Sequence, residues 1–192
     1  MTAKVTYHHG DLRTALVQSA LALLEEEGAA ALSMRAVARH AGVTAAAPYR
    51  HYQDRDALMS AVAAVGYREL AQDLVAVSQT PSTADEIADV AIAYVRFALR
   101  RPALFRAMFS EQGDAGSPER ADAVAAISNY LRANIARVFP DADADALSDA
   151  VWALVHGLAF LFLDGKFDST DPGELERRVR AAMRAVVGLA GS

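Results

Sequence analysis

The chain has 192 residues, of which 53% are hydrophobic and 22% charged, and its net charge is −5. That composition supplies a core for one large domain or two smaller ones, and it excludes an intrinsically disordered chain. There is no cysteine, which excludes disulfides and thiolate metal sites.

The charge is unevenly placed. Residues 1–60 carry six Lys/Arg and six Asp/Glu, while residues 61–192 carry 13 and 18. Four of the five histidines, His8, His9, His40 and His51, also fall in the first segment. The chain therefore has a neutral, His-rich head and an acidic body, and overall pI says little about a local patch. The opening "MTAKVTYHHGDLR" has no apolar h-region and does not read as a signal peptide. The most apolar run, residues 150–163, contains His156 and falls short of the roughly 18–20 apolar residues that span a bilayer. It reads as a buried helix, and a cytoplasmic protein without a membrane segment is expected.

Nearly every element reads as helix. The first is expected over "DLRTALVQSALALLEEE", capped by Asp11, with Leu12, Leu16, Ala20, Leu23 and Leu24 on one stripe and Gly28 as its end. Ser33 caps a second helix whose Val37, Ala38 and Ala41 face inward. Gly42 stops it as a residue able to take positive φ, and Val43 plugs the turn. Thr44 is expected to cap a third, very short helix, and Asp54 a fourth that runs on to Val77 with a possible bend near Gly66.

A loop at "SQTPST" precedes a helix over "ADEIADVAIAYVRFALR", which Pro102 breaks before "ALFRAMFSE". "QGDAGSP" is a loop, and Pro118 suits the first turn of a helix running to about Phe139. The acidic "PDADADALSD" favours a helix start. Two helices close the chain, over "ALSDAVWALVHGLAFLFLDG" and "DPGELERRVRAAMRAVVGLAG". The expected fold is all-α, with nine or ten helices and domains at 1–54 and 55–192.

The segment "SMRAVARHAGVTAAAPYRHYQDRDAL", residues 33–58, carries the functional signal. A helix, a tight Gly turn and a second short helix bury little alone. Packed on the first helix they form a three-helix unit that presents the second short helix to a major groove. Ala38 is small, as a close helix crossing demands. At these residues the sequence resembles the TetR family of transcriptional repressors. Arg35, Ala38, Ala41-Gly42-Val43-Thr44, Pro48-Tyr49-Arg50-His51-Tyr52, Arg55 and Leu58 fall on the family's pattern in order, and "YHHGDLRTAL" is similar to its usual opening. The match covers residues 7–60. "VWALVHGLAFL" also resembles the Trp-to-His-Gly segment of one subgroup of the family's C-terminal domain.

The resemblance implies a helix-turn-helix DNA-binding domain followed by a helical effector-binding and dimerisation domain. It further implies a homodimeric repressor on palindromic operator DNA, released by a small molecule. Within the head, Thr44, Tyr49, His51 and Arg55 are the expected phosphate contacts, and Arg35 and Arg50 the expected base readers. Ala45, Ala46 and Ala47 can meet thymine methyls but cannot make bidentate contacts. Pro48 replaces the family's larger apolar residue and removes an N–H whose partner would be the Thr44 carbonyl. It also disfavours α geometry at Ala47, so a distorted start to this helix is expected. Tyr49 and Tyr52 have a second reading as core aromatics joining the head to the fourth helix, and Tyr52, where the family prefers Phe, stands evenly between core packing and DNA contact. Lys4 and residues 7–9 could form an arm on the DNA backbone.

For the body, Ala153 and Gly157 with Met183, Val186, Val187 and Leu189 are the expected dimer face, with packing of the same face inside the protomer as the alternative. Phe97, Phe105, Met108, Phe109, Tyr130, Trp152, His156 and Phe160 are the candidates for lining a pocket for an apolar or aromatic effector, with ordinary core packing the alternative for each and a satisfied core histidine the alternative for His156. No P-loop, dinucleotide fingerprint, paired metal motif or nucleophile elbow is present, so no enzyme, cofactor or metal is expected. His8 and His9 match a metal pair only superficially. The alternative from another class is a helical interaction module without DNA binding, for which the neutral head speaks.

Overall fold

The computed structural model describes residues 9–109 and 116–190, with side chains for 12–109, 116–171 and 173–188. The expected arm at Lys4 and His8 and the side chains of His9, Asp11 and Leu189 lie outside the described side chains. Among the described residues there are eight α-helices, one 3₁₀ turn and no strand. They are α1 (His9–Glu27), α2 (Met34–His40), the 3₁₀ turn Pro48–Arg50, α3 (Arg55–Val77), α4 (Ala84–Arg100), α5 (Pro102–Met108), α6 (Pro118–Val138), α7 (Ala144–Leu163) and α8 (Pro172–Ala190). The all-α expectation holds. The count falls below nine because the segment after Thr44 forms a turn and a 3₁₀ turn in place of an α-helix. Helix α1 begins at His9, two residues before Asp11, its expected cap.

The chain divides into two compact units. The first comprises residues 1–66 and 103–121, the second 67–102 and 122–192. The first unit thus extends past residue 54 and takes in α3 up to Gly66 and α5 from Ala103 onward.

In the first unit, α1 buries Leu16, Ala20, Leu23 and Leu24, and Gly28 at φ +80° ends it by donating to the Leu24 carbonyl at 3.0 Å. Gly66 sits inside α3 against α5. A Cβ there would lie 2.6 Å from Met108 Sδ and 3.1 Å from Leu104 Cδ1. The glycine is therefore required by close packing, and α3 continues through it.

In the second unit, α4 is the central element and packs on both α7 and α8, which also pack on each other. Its N-terminus is closed by Thr83, whose hydroxyl accepts from the Glu86 amide at 3.2 Å, while Glu86 reaches back to Ser82. This reciprocal arrangement satisfies amides that the first turn would leave unpaired. Asp143 caps α7 by accepting from Asp145 N and Ala146 N. Tyr130 of α6 donates to the Ser78 carbonyl at 2.5 Å, tying α6 to the end of α3.

Helix α7 is longer than the apolar run within it. Its 20 residues have a mean hydropathy of 1.7 over the most apolar window, which by length and composition is enough to cross a bilayer. Only 39% of that window is buried. The expectation of a buried core helix is corrected to that extent, because Ala153, Gly157 and Leu161 face outward.

Candidate functional site

The tight turn after α2 forms as its residues require. The Ser33 hydroxyl accepts from the Ala36 amide at 3.2 Å and caps α2. At the other end Gly42 has φ +68°. The Val43 amide donates to Ala38 O at 2.9 Å and the Gly42 amide to Arg39 O at 3.2 Å. This pair of bonds closes the helix C-terminus through a residue in the left-handed region, where a Cβ would be strained. Val37 and Ala38 beneath are fully buried.

Beyond the turn, the distortion expected from Pro48 is present. The Thr44 carbonyl has no amide at Pro48 to accept from, and it accepts instead from Ala47 N at 2.9 Å. Arg50 N then donates to Ala47 O at 3.2 Å and His51 N to Pro48 O at 2.9 Å. These are bonds between residues three apart, and they wind the segment tighter than an α-helix. The expected loss of α geometry at Ala47 does not occur: it has φ −63° and ψ −41°. The tight turn bonds on either side hold it there.

The segment presents one face to solvent. Arg35, Thr44, Ala45, Ala46, Tyr49 and Arg50 are exposed and His51 is half-buried. Tyr49 is 55% exposed, which rules out core packing for it, whereas Tyr52 is 4% exposed and belongs to the core. There the Arg13 Nε donates to the Tyr52 hydroxyl at 3.3 Å, and the guanidinium lies 5.5 Å from the ring centroid. Burial pushes the Tyr52 phenol above its ordinary range. Tyr52 is thus a packing residue that fixes α1 beneath the turn.

Arg55 also has partners inside the head. Its Nε donates to Leu32 O at 2.8 Å and an Nη to Ala29 O at 3.0 Å. The guanidinium is spent on the loop that precedes α2, at the start of a helix capped by Asp54 through Ala57 N at 2.8 Å. These bonds tie the start of α3 to the loop before α2. Arg55→Ala should therefore lower the head's stability by about 1–3 kcal/mol through lost charge-assisted hydrogen bonds. Thermal unfolding checks this, and an unchanged Tm with weakened DNA binding would assign Arg55 to phosphate instead.

A further signal lies in the absence of acid around the turn. From Gly28 to Gln53 there is no Asp or Glu, while Arg35, Arg39 and Arg50 are present with His40 and His51. Arg39 and His40 are exposed at the end of α2, where they favour the helix dipole and add positive charge to the same segment. The head is neutral overall because its acids sit in Glu25–Glu27 and at Asp11, Asp54 and Asp56.

The second unit holds a small apolar cavity of about 40 Å³. Leu74, Ile87, Tyr94, Tyr130, Trp152 and Val155 are among its lining residues. Of the eight expected pocket residues, Tyr130 and Trp152 line this cavity. Phe97 is fully buried within the same unit without lining this cavity. Phe105, Met108 and Phe109 belong to the first unit, where Phe105 and Phe109 lie ring to ring at 4.9 Å. His156 and Phe160 stand one layer back. The His156 Nδ1 lies 3.1 Å from the Tyr94 hydroxyl, and its ring meets Phe160 at 4.9 Å.

Tyr94 is not distinguished by the sequence, since an aromatic on the apolar stripe of a helix reads as core. It joins the cavity to His156 and Trp152. Burial drives its phenol far above the ordinary range, and the neighbouring Trp152 indole opposes that in part. Burial also lowers the His156 pKa, so the imidazole is neutral near pH 7. A charge on either ring is disfavoured in the folded unit and not in the unfolded chain. Stability should thus be highest between the two ordinary values, 6.5 for His and 10.0 for Tyr. It should fall as pH drops below the first, because the unfolded chain binds the proton more readily, and as pH rises past the second, because the unfolded phenol ionises first. Thermal unfolding across pH, with His156→Gln flattening the acid side, checks this.

The expected dimer residues divide as well. Met183 is 1% exposed and Val187 9% exposed, so both pack within the protomer, which corrects their place on an outer face. Ala153 and Gly157 are exposed and Val186 is half-buried.

Two family models match the chain. "Bacterial regulatory proteins, tetR family" covers residues 16–62, and "Tetracyclin repressor-like, C-terminal domain" covers 87–186. The HTH-type transcriptional regulator Rv1816 of Mycobacterium tuberculosis is 33% identical over 108 residues, 53% of this chain and 46% of that protein. The matched part thus spans about half the length of the curated relatives. Among solved structures, a protein of unknown function from Rhodococcus sp. RHA1 is similar at 31% identity and TM-score 0.79, over 97% of this chain and 100% of that one. The TetR family transcriptional regulator PfmR from Thermus thermophilus shares the fold at 21% identity and TM-score 0.64, over 90% and 97%.

Proposed function

Because this chain belongs to the TetR family of bacterial regulatory proteins, we propose that it is a transcriptional repressor that binds palindromic operator DNA as a homodimer and is released by a small-molecule effector. The observation that carries the DNA reading is the exposed, acid-free cationic segment around the α2 turn. Arg35, Arg39 and Arg50 are exposed there and have no ion-pair partner among the described residues. Basic groups without internal partners are what phosphate contacts need. Residues 44–47 bring a hydroxyl and three alanine methyls, so polar base contacts fall to Arg35 and Arg50. Tyr49 and DNA shape carry the rest of the specificity. Selection from a random duplex library tests this reading. An enriched inverted repeat is expected, and an unenriched pool would leave the head without a DNA role.

The homodimer rests on α7 and α8. The outward side of α7 offers Ala150, Ala153, Gly157 and Leu161, and that of α8 offers Ala181, Ala185 and Gly188. Small residues permit close helix approach, and an apolar helix left largely uncovered is a hazard in a monomer. Two copies related by a two-fold axis would cover it and place two heads on two half-sites. A Cβ at Gly157 meets nothing within 4 Å in the protomer. Gly157→Glu should therefore leave the protomer folded while sedimentation shows a monomer in place of a dimer. A monomeric wild type would overturn this part.

The effector reading rests on the apolar cavity of the second unit. Its polar neighbours are satisfied internally. Asn134 donates to Tyr130 O at 2.8 Å and accepts from Arg137 at 2.6 Å. The cavity can take an apolar group without stranding a polar one.

A further inference from the structure

The cavity of about 40 Å³ is too small for any effector as it stands, since small-molecule sites typically occupy about 300–1,000 Å³. A larger groove of about 290 Å³ lies on the surface of the same unit, between α6 and α7. Ser128, Leu131 and Trp152 line both spaces. The wall between them is thus made of side chains from two helices, and Trp152 is its largest member. With that wall moved aside, the two spaces reach the size range of a small-molecule site.

The two sides of the wall differ in chemistry. The inner side has apolar walls and no unsatisfied buried polar side chain among the described residues. The outer side carries Arg132, Asp145 and Asp149. Arg132 is paired with Asp145 at 2.6 Å, while Asp149, exposed beside Trp152 on the next turn of α7, has no ion-pair partner among the described residues. A carboxylate next to an indole attracts cations twice over, through its charge and through the ring face.

We propose that the groove between α6 and α7 is the entry to the effector site, that Trp152 is its gate, and that it admits a cationic amphiphile, with the apolar chain in the cavity and the positive head beside Asp149. This rests on the reading of the second unit as an effector-binding domain and adds the ligand class and the route. Trp152 lines the cavity together with Tyr94 of α4, so a chain that displaces Trp152 also meets α4.

Trp152 is the only tryptophan in the chain, so intrinsic fluorescence reports on the gate itself. The full-length protein would be titrated with decyltrimethylammonium, 1-decanol and decanoate, each below its aggregation limit. Tm would be followed in parallel. A saturable change in emission with a raised Tm is expected for the cation, with apparent affinity about 5-fold or more above that for decanoate. Asp149→Asn should bring the cation to within about 2-fold of decanol. Tighter binding of decanoate would overturn the assigned charge while leaving an effector site. Emission unmoved by all three, or a Tm that only falls, would overturn the gate and the ligand class together. Operator binding by the untreated protein is a separate readout, so neither failure touches the DNA reading.

Discussion

Replacing Arg35 and Arg50 together by alanine should reduce affinity for the selected operator by at least about 30-fold, with the helical content and Tm of the protein unchanged. Thr44, Ala45 and Ala46 can offer one hydroxyl and two methyl groups, and Ala47 is half-buried. Pro48 is buried, and Arg55 is committed to the Leu32 and Ala29 carbonyls. Of the exposed residues that remain, Tyr49 is expected on phosphate and Arg39 and His40 close the far end of α2, so base readout is assigned to the two arginines. Each lost bidentate contact costs about 1–3 kcal/mol, and a two-fold dimer loses it at both half-sites. Both side chains are exposed and without an ion pair among the described residues, so stability should not follow. Anisotropy titrations on the operator and on a scrambled duplex would separate the two classes of contact. Loss confined to the operator identifies base readers. Equal loss on both identifies phosphate contacts, and no loss on either removes the arginines from the interface.

Phe97→Ala should destabilise the second unit by about 3–5 kcal/mol, while Phe97→Leu costs less than about 1.5 kcal/mol. Phe97 is completely buried on α4, the helix against which α7 and α8 pack, and its ring lies 5.6 Å from the Arg100 guanidinium. Removing it leaves a void that the surrounding helices can only partly close. Had Phe97 lined an effector pocket, the same change would enlarge that pocket and shift ligand affinity with a smaller stability loss. Chemical denaturation of the two variants, read beside effector titration, distinguishes the two. A Phe97→Ala protein within about 1 kcal/mol of wild type would mean the residue faces an empty space.

The parts of the fold that can be read from sequence are those fixed by neighbours in the chain. Ser33, Gly42 and Asp54 are each marked by residue type and position. Each makes the local bond expected of it, to Ala36 N, through Val43 N to Ala38 O, and from Ala57 N. Pro48 likewise announces a distortion, although the turn bonds around Ala47 keep that residue helical. Where the outcome depends on which distant element a side chain meets, periodicity is silent. Phe105 and Met108 lie on an apolar stripe as Tyr94 does. Only the tertiary pairing of α5 with Gly66 puts the first two in the DNA-binding unit, while Tyr94 lies on the cavity wall. Met183 and Val187 carry the same ambiguity, because an apolar face at the end of a chain can be covered by its own protomer or by a second copy. In α8 the protomer takes those two positions, and the small residues on the other side remain outward. Arg55 shows the limit for charge as well, since its position matches a DNA contact and its hydrogen bonds run inward.

The most direct test is the salt dependence of operator binding. Anisotropy of a labelled operator duplex would be followed against purified protein at about 50 and 200 mM salt. Several phosphate contacts from two heads imply counterion release, so affinity should fall at least about 10-fold between the two salts and remain well above that for a scrambled duplex at both. Binding that is indifferent to salt, or no preference for the operator at either concentration, would contradict a DNA-binding head.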